Sequence, residues 1–183
     1  IRLGINNLAG VPSVVFGLFG LAFFVVILDM GVSIAAGALT LGAMSLPVII
    51  GSTEEALKSV PDTYREASLG LGATKWQTIW RVVLPSAMPG ILTGAILGIS
   101  RAAGETAPIM FTGAVFFTPK LPTSIFNEVM ALPYHIYVLA TAGTEIEKTR
   151  PLQYGTAIVL IALVLGMNLV AIIWRSRLRK RLR

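Results

Sequence analysis

Long apolar runs without charge constrain the fold of this chain more than any other feature. Three stretches contain no charged residue, 11–28, 30–50 and 151–174, and a fourth, 86–119, is interrupted only by Arg101 and Glu105. A helix needs about 20 mostly apolar residues to cross a hydrocarbon core of about 30 Å. We therefore predict an all-α polytopic membrane protein, with about four membrane-spanning helices in a single transmembrane domain covering residues 1–183.

Composition supports a membrane protein. Of the 183 residues, 55% are apolar and 13% are charged, whereas soluble domains average about 45–50% and about 25%. The chain has no Cys, which excludes disulfides and thiolate metal sites. Since it begins without Met, we expect that earlier helices of the protein are missing from it.

The positions of Lys and Arg predict the orientation. Six of the fifteen basic residues lie within 175–183, directly after the last apolar run, and basic residues at span ends stay in the cytoplasm. We expect the C-terminus and the polar segment 52–85 on the cytoplasmic side of the inner or plasma membrane, and the loop 113–150 outside. Binding of nucleic acid by the same tail is a much weaker interpretation.

The polar segment 52–85 predicts a compact helix–turn–helix. Capping-box spacing occurs at Ser52 with Glu55 and again at Thr74 with Gln77. Between these starts, Pro61 opens a further helix, which Gly70 and Gly72 break, and Pro85 is expected to end the last one. Caps and glycines specify a shape but not a partner, so an ordinary connecting loop is the alternative.

Arg101 and Glu105 are the chemically informative residues of the third run. They are four residues apart and share one helical face. A charge in the membrane costs at least about 2.5–3.5 kcal/mol, so it needs a partner or a watery path. We predict that the pair lines an anion pathway, with Thr106 and Thr112 as hydroxyl donors. The alternative is an ion pair that only holds helices together.

Enzyme and metal motifs are lacking in the sequence. It contains no GxxxxGK[ST], HExxH or GxSxG, and His135 has no ligand partners at metal-binding spacing. We therefore expect no cofactor, no metal and no catalytic residues. An intramembrane enzyme using Glu105 is the least favoured hypothesis, because no second acid accompanies it on its helix.

The segment 66–85 resembles the EAA loop of permease subunits of ABC-type importers. The matching positions are Glu66, Ala67, Ser68, Gly72, Val82, Leu84 and Pro85. Ser68 and Val82 replace the more common Ala and Ile. The resemblance implies that Glu66, Ala67 and Gly72 contact a cytoplasmic ATPase, and that Ser68, Leu84 and Pro85 belong to the same coupling element.

The string RAAGETAP, continued by IMFTGA, resembles phosphate-import permeases of the PstA type. The similarity runs from about Asn6 to Arg175. It implies a MetI-like fold, shared by methionine- and maltose-type importers, of which the first helices are missing here. It also implies a PstC-type permease partner, two copies of a PstB-type ATPase and an extracytoplasmic phosphate-binding protein. Sulfate or molybdate is the alternative cargo.

Overall fold

The computed structural model describes residues 2–142 and 146–181, with the side chains of residues 2, 6, 146 and 178–181 left out of the description. Residues 143–145 of the predicted outer loop, and the basic side chains from 179 onward, lie outside this description. The described part is helical, and its one isolated bridge joins Ala114 to Val129. The helices are α1 (Arg2–Ala9), α2 (Ser13–Gly20), α3 (Ile34–Lys58), α4 (Asp62–Gly70), α5 (Lys75–Thr78), α6 (Leu84–Gly104), α7 (Ala107–Thr112), α8 (Leu132–Thr141) and α9 (Ile146–Arg181).

Among the described residues, three helices are long and apolar enough to cross a membrane: Ile34–Lys58, Lys75–Gly104 and Glu147–Arg177. A fourth span is obtained only if Leu3–Ala9 and Ser13–Ile27, which are bent by 100° relative to each other, are counted together. The π-helical segment Leu21–Ile27 continues α2. The expectation of about four spans is therefore met by three long helices and one bent pair.

A stripe of glycines allows α6 to pack closely against α3. Gly90, Gly94 and Gly98 are four residues apart on one face of α6. A Cβ built on Gly90 would lie 2.6 Å from Ala56 Cβ, and one built on Gly98 would lie 2.8 Å from Ile49 Cγ1. Small residues at this spacing are typical of close helix contacts in membranes. This contact was not predicted, although the four-residue spacing of the three glycines is visible in the sequence.

The segment after α7 is fastened to the beginning of α3. The backbone N–H groups of Ser33, Ile34 and Ala35 donate to the carbonyls of Thr112, Asn127 and Ile125 at 3.0, 2.9 and 2.8 Å. The first N–H groups of a helix have no partner within it. The outer segment supplies these partners, so it is held against the bundle rather than hanging free.

Among the described side chains, two polar contacts join α9 to α6. The Ser100 hydroxyl donates to Asn168 Oδ1, and Arg175 Nη1 donates to Thr93 Oγ1 at 2.7 Å. The contacts are seven residues apart on each helix, in antiparallel register. Asn168, a polar residue within an apolar span, thus makes a helix-to-helix hydrogen bond.

Two predicted helix boundaries are wrong. Ser52 does not start a helix, because α3 continues to Lys58 and the Ser52 hydroxyl donates back to Val48 O at 2.9 Å. Pro85 does not end one, because Lys75–Gly104 is a continuous helix. The π-helical segment Ile79–Val83 precedes Pro85. Its wider turn accommodates a ring that would otherwise clash with the preceding turn.

Candidate functional site

The first candidate site is the knob, which we define as residues 61–83. Its helix α4 begins after Pro61, as predicted, and its helix α5 begins at Lys75. Thr74 Oγ1 accepts a hydrogen bond from the Gln77 N–H at 3.3 Å, while Gln77 Oε1 accepts one from the Thr74 N–H at 2.9 Å. The predicted capping box at Thr74 is confirmed.

The turn of the knob depends on Gly72. Its φ is +84°, a left-handed conformation that only glycine adopts cheaply. The Gly72 N–H donates to Leu69 O at 2.9 Å, and the Ala73 N–H donates to Ser68 O at 3.2 Å. This is the hydrogen-bond pattern of a Schellman motif. The predicted end of this helix at Gly70 and Gly72 is confirmed, since Gly70 is the last residue of α4 and Gly72 makes the turn.

Side-chain contacts fix the knob to the spans. Ser68 Oγ lies 3.0 Å from Thr78 Oγ1, which joins α4 to the helix containing α5. Arg65 Nη2 donates to Leu57 O at 2.8 Å, which joins α4 to the end of α3. In addition, Ala56, Val60, Val83 and Ala87 form a buried apolar cluster between the end of α3 and the start of α6. The knob is therefore tied to both α3 and α6.

The predicted coupling residues divide into two groups. Glu66, Ala67 and Gly72 are exposed, on α4 and in the turn that follows it. Ser68, Leu84 and Pro85 are half-buried. The first group is accessible to another protein, and the second supports the shape of the knob.

The second candidate site is a break between α6 and α7. The helix α6 ends at Gly104, Glu105 is extended with φ −76° and ψ 131°, and α7 begins at Ala107. The apolar run 86–119 is therefore not one continuous helix. Pro108 explains the break, since its ring would clash with the carbonyl of Gly104, four residues earlier, if the helix continued.

Arg101 and Glu105 meet at this break. Arg101 Nε lies 3.4 Å from Glu105 Oε1, so the predicted pairing is confirmed. The Arg101 side chain is 44% exposed and that of Glu105 is 18% exposed. In the described part of the chain the Arg101 guanidinium is therefore partly open to its surroundings. Arg101 lies in the last turn of α6, where the helix dipole favours a positive charge.

Thr106 and Thr112 have different surroundings. Thr112 is completely buried, and its hydroxyl donates to Pro108 O at 2.8 Å. The helix α7 packs against α2 and α3, which places Thr112 inside the bundle against Gly20. Its predicted role as a donor to a passing anion is therefore wrong. Thr106 is half-buried beside Glu105, and its side chain does not cap α7.

Metal binding finds no support in the described ranges. Within them, no three His, Asp or Glu side chains come together in a way that could hold a metal ion. The chemistry of the break is therefore that of one guanidinium, one carboxylate and the neighbouring hydroxyl of Thr106.

Comparisons with known proteins identify the family. Residues 1–183 match the family model described as binding-protein-dependent transport system inner membrane component. The chain is 40% identical to the probable ABC transporter permease protein YqgI of Bacillus subtilis, over 93% of this chain and 62% of that protein. It is 42% identical to the phosphate transport system permease protein PstA of Mycobacterium leprae, over 93% of this chain and 55% of that protein.

The chain thus spans between about half and two thirds of the length of these relatives. A solved structure, of the MetNI methionine ABC transporter in inward-facing conformations, superimposes with a TM-score of 0.73 at 19% identity, over 95% of this chain and 72% of that one. The predicted MetI-like fold and the resemblance to PstA-type permeases are confirmed. The chain belongs to the family of binding-protein-dependent transport system inner membrane components.

Proposed function

We propose that the chain is a permease subunit of an ATP-driven, binding-protein-dependent importer of inorganic phosphate. In this proposal it forms part of the translocation pathway and connects that pathway to a cytoplasmic ATPase. The supporting observation is the guanidinium of Arg101, which lies on an open face of a membrane helix beside Glu105.

Arg101 is suited to attract an anion without trapping it. Its contact with Glu105 is a single one, through Nε at 3.4 Å, so the carboxylate offsets part of the positive charge. An unopposed guanidinium would hold a phosphate tightly, and a permeation site must also release what it binds. The cost of a charge at this depth implies a watery path beside it, which a second permease subunit would enclose.

The relatives support phosphate as the cargo. The proteins named PstA among them are phosphate transport system permeases and are 36–42% identical to this chain. Sulfate and molybdate are also tetrahedral oxyanions, and an arginine alone distinguishes them poorly from phosphate. They are therefore the competitors that a test has to include.

The proposed partners follow from the exposed surfaces and the family. A PstB-type ATPase would contact Glu66, Ala67 and Gly72 on the knob, and a PstC-type permease would cover the face that carries Arg101. An extracytoplasmic phosphate-binding protein would dock on the side of the 113–150 loop. In this arrangement the knob and the C-terminus are cytoplasmic, as the distribution of basic residues predicts.

Continuous helix connects the two candidate sites. Lys75 and Arg101 lie on the same helix, Lys75–Gly104, and are about 40 Å apart along it at about 1.5 Å per residue. Ser68 and Thr78 tie α4 to this helix. A displacement of the knob by the ATPase would therefore move the helix that carries Arg101.

Uptake of labelled phosphate by vesicles containing the assembled complex tests the proposal. ATP-dependent uptake is expected from the unaltered complex, and Arg101→Gln should abolish it. Arg177→Gln, the same change at an exposed position near the C-terminal end of α9, should leave uptake unchanged. Normal uptake with Arg101→Gln would favour a scaffold whose ion pair is structural. Uptake of sulfate or molybdate in place of phosphate would overturn the proposed cargo.

A further inference from the structure

We propose that Glu105 selects oxyanions that carry a hydroxyl group, by accepting a hydrogen bond from that hydroxyl while Arg101 binds the other oxygens. This inference rests on the proposed function, because it assigns a selectivity role at the same site. It gives Glu105 a task beyond offsetting the charge of Arg101.

The geometry leaves donors and an acceptor available side by side. Within the described residues, Arg101 makes one side-chain hydrogen bond, from Nε to Glu105 Oε1 at 3.4 Å. Both terminal nitrogens of its guanidinium therefore remain available as donors, and Glu105 Oε2 remains available as an acceptor. Both side chains are partly exposed, at 44% and 18%, so a bound anion could reach both.

The position of Glu105 is set by the helix break. Its backbone is extended, and its N–H donates to Ala102 O at 3.3 Å. Three residues later Pro108 is completely buried, in a helix that packs between α2 and α3. The carboxylate is thus carried by a short segment anchored at both ends. A site that must distinguish similar anions needs such a defined position.

The chemistry distinguishes phosphate from sulfate. Inorganic phosphate keeps at least one hydroxyl near neutral pH, whereas sulfate has none. An ionised carboxylate only accepts hydrogen bonds, so it attracts the hydroxyl of phosphate and repels the bare oxygens of sulfate. Sites that hydrogen-bond a substrate hydroxyl reject analogues that lack it far more strongly than apolar pockets do.

A simple counter-ion would behave differently. In mildly alkaline buffer both phosphate and sulfate are dianions, but phosphate still has one hydroxyl. If Glu105 acted through its charge alone, removing that charge would improve the binding of both anions equally. If Glu105 accepts a hydrogen bond, its removal should favour sulfate over phosphate.

Equilibrium binding of labelled phosphate to the assembled membrane complex in lipid nanodiscs tests this inference. Arsenate, which carries a hydroxyl, is compared as a competitor with sulfate and fluorophosphate, which lack one as dianions. Arsenate should compete well, and the other two at least about 10-fold less well, the effect of one hydrogen bond to a charged group. Glu105→Gln should reduce this preference about 10-fold or more. The same change at the exposed Glu55 of α3, Glu55→Gln, should not alter it.

Other results would overturn the inference. They are an unchanged preference in Glu105→Gln, an equal effect on phosphate and sulfate, or no saturable phosphate binding by the unaltered complex. If the complex with Glu105→Gln does not assemble, Glu105→Asp serves as the second variant. Its shorter side chain keeps the negative charge but moves the acceptor away, so it should weaken phosphate binding without improving sulfate binding. ATP-driven phosphate uptake by the same complex separates the two proposals. If uptake is observed but the predicted anion preference is not, the proposed function holds and only the role of Glu105 is wrong. If no uptake is observed, the proposed function itself is wrong.

Discussion

Gly94 of α6 lies directly against Ser52 of α3, so closely that a Cβ built on Gly94 would overlap the Ser52 hydroxyl. That hydroxyl donates to the carbonyls of Val48 and Ile49 at 2.9 and 3.0 Å, and moving it away would break these bonds. Gly90 and Gly98 make similar contacts one turn to either side. The contact between α3 and α6 is thus made at backbone distance.

Gly94→Ala should therefore destabilise the protein. Overpacking by one methyl group costs about 1–3 kcal/mol, and here the obstacle includes the Cβ of Ser52 as well as its hydroxyl. The thermal stability of the detergent-solubilised protein measures the effect. Gly42→Ala is the matched control, since a Cβ on Gly42 has no atom within 4 Å. Equal melting temperatures for the two variants would contradict the prediction.

Gly72→Ala should impair coupling without disturbing insertion in the membrane, and Gly72→Val more so. A Cβ at Gly72 meets no atom within 4 Å, so the effect comes only from its φ of +84°. A left-handed residue with a Cβ costs about 1–2 kcal/mol, enough to distort the turn. Substrate-stimulated ATPase activity in reconstituted vesicles should fall. Gly70→Ala, at a helical position with equally open surroundings, should retain the stimulation of ATPase activity. Similar stimulation in Gly72→Ala and Gly70→Ala would mean that the left-handed turn at Gly72 has no role in coupling.

The Ser100–Asn168 contact should stabilise the attachment of α9 to α6. In membranes such hydrogen bonds contribute about 0.6 kcal/mol on average and up to about 2. The variants Ser100→Ala, Asn168→Ala and the double variant form a cycle whose coupling energy measures this bond. Unfolding in mixed micelles provides the free energies. Additive effects of the two single changes would mean that the bond contributes nothing.

Local patterns predicted much of the fold and of the knob. The apolar runs predicted the spans, and the cap at Thr74 and the turn at Gly72 each depend on residues within one or two turns. Long-range packing decided the rest. The burial of Thr112 depends on α7 lying between α2 and α3. The predicted helix start at Ser52 is wrong because α3 continues to Lys58, where its packing against α6 extends it. The exposure of Arg101 likewise depends on long-range packing, because α3 and α9 are the long helices that pack against α6.

Arg101→Lys should weaken phosphate uptake without abolishing it. Lysine keeps the positive charge but has a single head group, whereas the guanidinium can hold Glu105 through Nε and still present two terminal nitrogens in a fixed fork. We expect a concentration for half-maximal uptake at least about 10-fold higher, with more residual transport than in Arg101→Gln. Arg177→Lys, at an exposed position near the C-terminal end of α9, controls for the exchange of arginine for lysine. Uptake by Arg101→Lys that equals the unaltered complex would mean that positive charge suffices, and the fork geometry would then have no part in binding the anion.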